Sequence, residues 1–136
     1  MPTVLFVCVH NSGRSQMAEA FFNLYANGKV KGLSAGTQPA KEVNPVVIEV
    51  MQEVGIDISK NIPKALTLEM VKKSNKMISM GCGAEAEAVC PASFIETEDW
   101  TLEDPEGKTL EQVRIIRDEV KNRVMKLIEE MAINSH

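Results

Sequence analysis

Eight residues near the N-terminus, Cys8-Val9-His10-Asn11-Ser12-Gly13-Arg14-Ser15, have the types and spacing for chemistry on an anion. A cysteine stands six residues before an arginine, and a serine follows at once. The apolar run Val4-Leu5-Phe6-Val7 precedes the segment, and a helical pattern starts near Ser15. A strand, a tight loop and a helix N-terminus make an anion cradle. Successive backbone N–H groups point inward, and the helix dipole adds partial positive charge. A thiol at the start of the loop then lies beneath a bound tetrahedral oxyanion. The same positive field, with Arg14, favours the reactive thiolate. Arg14 is expected to hold two oxyanion oxygens in a planar fork.

Two plainer readings compete. A lone cysteine near a strand end is usually a small buried hydrophobe. Here Asn, Gly, Arg and Ser stand at fixed offsets from it, which favours the functional reading. A nucleotide-binding loop needs Gly, four residues, then Gly-Lys-Ser/Thr. Gly13-Arg14-Ser15 falls in that register, but Cys8 replaces the first Gly and Arg14 the Lys. The apolar segment Met77-Ile78-Ser79-Met80 also lacks a magnesium-binding Asp at its end. Nucleophilic attack is therefore expected rather than nucleotide holding.

Two more cysteines, Cys82 and Cys90, stand eight positions apart around an Ala/Glu segment. They are close enough in sequence for a local disulfide. Structural zinc usually pairs cysteines two to four residues apart and needs four ligands, and only His10 and His136 are available to join them. Two unrelated buried cysteines are the other plain reading. A reactive Cys8 makes a thiol relay the better explanation. Asp104, in Glu103-Asp104-Pro105-Glu106-Gly107, is the candidate proton donor. Pro105 restricts it to extended geometry. Asp-Pro in an acidic loop is ordinarily a turn, and its value here comes from the need for an acid opposite Cys8. His10 is read as shaping the loop.

These residues need elements to position them. The 136 residues suffice for one domain with a real core, and 44% hydrophobic with 25% charged residues is ordinary for a soluble chain. A net charge of -4 argues against nucleic acid or an anionic membrane as partner, so attraction for an anion must be local. No run is long enough to span a bilayer and no signal peptide is read, so a cytoplasmic location is expected. Residues 3–8 read as a buried strand. Met17, Phe21 and Leu24 recur at helical spacing from Ser15 to about Ala26, and Asn27-Gly28 ends that helix. Val30 to Ala35 is a second strand. Asn44-Pro45 opens a helix whose apolar face is Val47, Val50, Met51 and Val54, closed by Gly55. Thr67 caps a short helix to about Lys73, Asn75 to Met80 is a third strand, and Phe94-Ile95 lies in a fourth. Thr109 to Met131 is a long amphipathic helix, opened by a Thr109/Gln112 capping box. Its buried stripe runs through Leu110, Val113, Ile116, Val120, Val124, Leu127 and Met131. The eight methionines are assigned to core packing. Strands alternating with helices predict an α/β fold, a four-stranded parallel sheet flanked by helices on both faces.

The chain resembles the thioredoxin-coupled arsenate reductases, which share the low-molecular-weight protein tyrosine phosphatase fold. The resemblance rests on Cys8 to Ser15, Ser34-Ala35-Gly36-Thr37, Asn44-Pro45, Gly55-Ile56-Asp57-Ile58-Ser59, Met80-Gly81-Cys82-Gly83, Cys90-Pro91 and Asp104-Pro105. It covers essentially the whole chain as a single domain, 1–136. The cradle fits reductases and phosphatases alike, and the Cys82/Cys90 pair selects reductase. Phosphatases of this fold typically carry tyrosines beside the Asp-Pro, where this chain has Glu106-Gly107. The resemblance implies that Cys8 attacks arsenate held by Arg14 and the amides of Val9, His10, Asn11, Ser12, Gly13 and Arg14. Ser15 would hydrogen-bond the thiolate, and Asp104 protonate the departing oxygen. Cys82 then attacks Cys8 and arsenite leaves. Cys90 attacks Cys82, moving the disulfide to Cys82–Cys90, where thioredoxin reaches it. Each step is thiolate exchange, with no metal or organic cofactor, and a monomer suffices. The Cys82–Cys90 interval varies within that family. Some members bind potassium through residues matching Asn11, Glu19 and Ser34 plus an acidic residue. Lys64 stands at that last position here, so either its ammonium replaces the ion or the site is absent. A phosphatase acting on phosphomonoesters is the first alternative, since arsenate and phosphate are nearly isosteric. A non-enzymatic thiol sensor or arsenic-binding protein is the second.

Overall fold

A computed structural model of the chain describes residues 2–80, 96–100 and 102–131. Cys82, Cys90, Phe94 and Ile95 lie outside the described residues. The elements in order are β1 (Thr3–Cys8), α1 (Arg14–Tyr25), β2 (Lys31–Gly36), α2 (Pro45–Gln52), α3 (Leu68–Lys72), β3 (Lys76–Ser79), β4 (Glu96–Asp99) and α4 (Leu110–Glu130). The four strands form one parallel sheet in the order β2-β1-β3-β4.

β1 is buried along its whole length, as an inner strand of a covered parallel sheet must be. Its side chains alternate. Val4, Phe6 and Cys8 join a large core with Met17, Phe22, Val47, Val120 and Val124, under α1, α2 and α4. Leu5 and Val7 face the other way, into a smaller core with Ala35, Val71 of α3 and Met77. The helices therefore cover both faces, unequally. Phe6 anchors the larger core, with Phe22 edge-on at 5.5 Å and Trp100 at 5.9 Å.

The sequence order places the site. From β1 the chain moves to β2 on one side, then returns to β3 on the other. At such a switch point the carboxyl end of the strand opens into a crevice. Cys8 is the last residue of β1, and the loop that follows it fills that crevice.

Local signals set most boundaries. Asn44 Oδ1 accepts from Val46 N, with Pro45 at the first helical position. Thr67 caps α3. Thr109 and Gln112 form the predicted capping box on α4. Two expected core residues are instead exposed. Leu24 is 54% exposed because the buried stripe of α1 runs through Ala18, Phe21, Phe22 and the half-buried Tyr25, leaving Leu24 beyond its edge. Val54 is 43% exposed because α2 stops first. Ile56 N donates to Met51 O and Gly55 N to Gln52 O, with Gly55 at φ 82°, which only glycine adopts freely. That reversal tucks Ile56, not Val54, against the core.

Glu53, just past α2, ties it to α4. Its carboxylate accepts from Arg114 Nε and Nη2, the latter at 2.7 Å, and from Arg117 Nη1 at 2.9 Å. The Arg114 guanidinium, chiefly, holds the Glu53 carboxyl below its usual range, and Glu53 raises Arg114 in return. A depressed folded-state value means stability present above the unfolded-state titration and lost as pH falls through the folded one. Glu53→Gln should therefore unfold at lower urea than the parent at pH 7. The gap should close only as pH falls well below the ordinary glutamate range, where the parent's own depressed carboxyl is at last protonated. An equal gap at both pH values would show that the pair acts by packing rather than charge.

Candidate active site

The loop after β1 is held from outside by its carbonyls. Cys8 O accepts from Thr37 N, Val9 O from Gln38 N, His10 O from Ala40 N, and Ser12 O from Asn44 N, at 2.8–3.1 Å. Asn11 O accepts from Gln16 Nε2 at 3.1 Å. Five successive carbonyls are thus engaged by donors outside the crevice, an arrangement that turns the amides between them toward it, as Asn11 N does in donating to Cys8 Sγ. Asn11 makes this possible with φ 51°, a left-handed conformation that asparagine tolerates better than most residues. Gly36 is needed alongside, because a Cβ there would meet Val9 O at 2.6 Å and Asn11 N at 2.9 Å. α1 begins at Arg14 with no side-chain cap at Gly13 and no acidic residue in its first turn. Its N-terminal charge is therefore left for an external anion.

Cys8 lies at the bottom of this loop, 2% exposed. Its Sγ accepts from Asn11 N at 3.2 Å and stands 2.9 Å from Ser15 Oγ. Asn11 N–H thus donates to the sulfur, and the Ser15 hydroxyl lies within hydrogen-bonding reach of it. Arg14 is only 6% exposed, and its Nη1 donates to Leu102 O at 3.2 Å while Nη2 lies 3.8 Å from Asp104 Oδ2. The arginine therefore docks the 102–107 loop over the cradle. Pro105 lies flat on Gly13, where a Cβ would come within 2.6 Å of Pro105 Cγ. Asp104 Oδ1 also accepts from Glu106 N at 3.0 Å, so the residue shapes its turn and presents its other oxygen to Arg14. His10 bridges two walls. Its Nδ1 is 3.1 Å from Gln38 O and its Nε2 3.9 Å from Glu106. A groove lined by His10, Ser12, Gln38, Asn44 and Glu106 leads away from the loop.

The structure brings Cys8, Arg14, Ser15, Asp104 and the 9–14 loop together at the carboxyl end of β1. Two contributors had no sequence signal. Gln16 is wholly buried and holds Asn11, and Asn61 in turn holds Gln16. Both contacts depend on residues the fold brings together.

Lys64 lies among the residues expected to hold the ion. Its amide donates to Asn11 Oδ1 at 2.8 Å, and its Nζ lies 3.8 Å from Glu19 Oε1 and 3.5 Å from Ser34 Oγ. An alkali cation there would meet like-charge repulsion. Replacing potassium by tetramethylammonium at constant ionic strength is expected to leave melting temperature and KM unchanged. A stabilisation specific to potassium would overturn this. Among the described residues, no group of three or more His, Cys, Asp or Glu is placed to hold a metal ion, and no helix is long and apolar enough to cross a membrane.

Residues 3–136 match the family model described as low molecular weight phosphotyrosine protein phosphatase. A glutaredoxin arsenate reductase of Synechocystis sp. is 42% identical over 131 residues, 94% of this chain and 97% of that protein. A structure of a thioredoxin-dependent arsenate reductase from Corynebacterium glutamicum superposes with a TM-score of 0.81 at 37% identity. It matches 98% of this chain, which spans only 63% of the length of that one. An arsenate reductase in a phosphate-binding state gives a TM-score of 0.83 at 40% identity, covering 96% of this chain and 98% of that one.

Proposed function

The chain belongs to the low molecular weight phosphotyrosine protein phosphatase family, and from that premise we propose that it works as an arsenate reductase. The carrying observation is the buried Cys8 Sγ between Asn11 N–H and Ser15 Oγ, beneath an inward-facing amide loop, in a chain that also holds Cys82 and Cys90. The cradle alone suits phosphate as well as arsenate. The two further thiols and the reductases among its relatives favour reduction.

In this reading the amides of residues 9–14 and Arg14 bind the oxyanion, and the Cys8 thiolate attacks arsenic. Asp104, held at the mouth by Arg14 and Pro105, gives its proton to the departing oxygen, which leaves as water. The Cys82 thiolate then attacks Cys8 Sγ. The electron pair of the breaking S–As bond stays on arsenic, which leaves as arsenite, and a Cys8–Cys82 disulfide forms. Cys90 attacks Cys82 and frees Cys8. An external dithiol reduces the resulting Cys82–Cys90 disulfide. Thioredoxin is the proposed dithiol. The enzyme is read as a monomer in the cytoplasm, where such thiols stay reduced.

Turnover of arsenate with thioredoxin and its reductase, run beside glutaredoxin with glutathione, tests this directly. A phosphatase would instead hydrolyse aryl phosphate and ignore arsenate, and a thiol sensor would oxidise once without turnover. Within the same assay, Asp104→Asn should slow the first chemical step by roughly 10²–10⁴-fold, the range for a positioned acid. Oxyanion affinity should hold or improve, since a negative charge near the anion is gone. An unchanged rate at saturating arsenate, with chemistry limiting, would leave Asp104 as a turn residue only.

A further inference from the structure

We propose that Gln16 is a positioning residue for the Cys8 thiolate, acting by fixing which end of the Asn11 amide faces Ser15. This role presupposes Cys8 as the nucleophile and is independent of arsenate being the substrate.

Gln16 lies in the first turn of α1 with no exposed surface, an uncommon place for a neutral amide. Its Nε2 donates to Asn11 O and to Asn11 Oδ1, both at 3.1 Å. Its Oε1 accepts from Nδ2 of the exposed Asn61 at 3.1 Å. Asn11 Oδ1 accepts a second hydrogen from Lys64 N at 2.8 Å. Two donors from different parts of the chain thus converge on Oδ1 and hold it away from Ser15. Asn11 Nδ2 is thereby delivered to Ser15 Oγ at 2.7 Å. An amide nitrogen has no free acceptor site, so the Ser15 hydroxyl cannot donate back to it. Its hydrogen is left for Cys8 Sγ, 2.9 Å away. Donation runs one way, from Asn61 to Gln16 to Asn11 to Ser15 to the sulfur. A chain with a single direction polarises each of its members and suits a negative terminus. Were the Asn11 amide reversed, its carbonyl would take the Ser15 hydrogen, and a hydroxyl lone pair would face the thiolate.

Alkylation of Cys8 by iodoacetamide reads the thiolate without arsenate, phosphate or reductant. The Cys8 peptide is followed by mass spectrometry across pH, which keeps Cys82 and Cys90 from confusing the signal. Gln16→Met conserves volume and removes the donors. Asn61→Ala removes the outer partner from an exposed position and carries little risk to folding. The charged groups of the loop and of the Asn11 network, Arg14 with Asp104, His10 with Glu106 and Lys64 with Glu19, are unchanged in both. In Gln16→Met the alkylation midpoint should move up by about half to one pH unit, so the rate on the acid side falls roughly three- to tenfold. That is part of the worth of one hydrogen bond to a charged group, since Asn11 N–H still donates to the sulfur. Rates should converge with the parent on the alkaline side, where every chain is thiolate. Asn61→Ala should shift the midpoint the same way by less. A parental midpoint in folded Gln16→Met overturns the role, as does an equal slowing at every pH, which would mean a blocked or collapsed loop. If Gln16→Met does not fold, Asn61→Ala decides, and a parental midpoint there overturns it. A chain that fails to reduce arsenate leaves this measurement intact, so the two ideas fail separately.

Discussion

Replacing Cys8 by serine is expected to remove arsenate reduction and any aryl-phosphate hydrolysis together, by roughly 10⁴-fold or more, the scale seen when a covalent nucleophile is lost. A neutral hydroxyl is a far poorer nucleophile than a thiolate near pH 7, and among the described residues the hydrogen-bond partners of this position are Ser15 Oγ and Asn11 N–H, neither of them a base. The fold should survive. Serine is slightly smaller, and its hydroxyl inherits both hydrogen-bonding partners, so the buried polar group is satisfied. A melting temperature within a few degrees of the parent, with phosphate still binding, would separate lost chemistry from lost structure. Reduction at near the parental rate in this variant would remove the cradle from the mechanism altogether.

The second large effect divides the other two cysteines. Ester hydrolysis needs Cys8, Arg14 and a proton donor, because water resolves a phosphocysteine. Reduction of arsenate needs two electrons, which a second thiol must supply. Cys82→Ser should therefore retain any side phosphatase activity and lose dithiol-coupled reduction entirely. Cys90→Ser should complete one turnover, release one arsenite per chain, and stall as a Cys8–Cys82 disulfide. Digestion without reductant, followed by mass spectrometry, identifies that bond. Three free thiols after arsenite release would contradict the order. A Cys8–Cys90 bond in Cys82→Ser, with turnover retained, would exchange the two roles.

How far the sequence foretold this molecule depended on whether a signal was local. β1 announced itself as a continuous apolar run because both its faces are covered. Thr109 and Gln112 announced α4 because a capping box lies within four residues. Cys8, Arg14 and Ser15 share one loop and one helix turn, so their spacing alone brought them together. Leu24 and Val54 misled because apolar periodicity says which residues could face a core, not where the covering stops. Gln16 gave no sign, since its meaning depends on Asn11 being left-handed and on Asn61 arriving from 45 positions away. The outward carbonyls of the cradle were equally silent, for four of the five take their donors from the backbone amides of Thr37, Gln38, Ala40 and Asn44.

Those outward carbonyls also fix when the site can exist during folding. Residues 8–12 hold no cradle by themselves. Their shape is borrowed from segments reached only after β1 has paired with β2, and from Lys64 and Leu102 still further along the chain. Contacts at such separations form late, because loop closure must precede them. The nascent chain is therefore expected to carry Cys8 as an exposed thiol until the sheet pairs, with the proposed reactivity arriving only as these struts engage. On the proposed reading an oxyanion binds the finished state alone and draws the equilibrium toward it, so added phosphate is expected to raise the yield of refolding as well as to compete for the site.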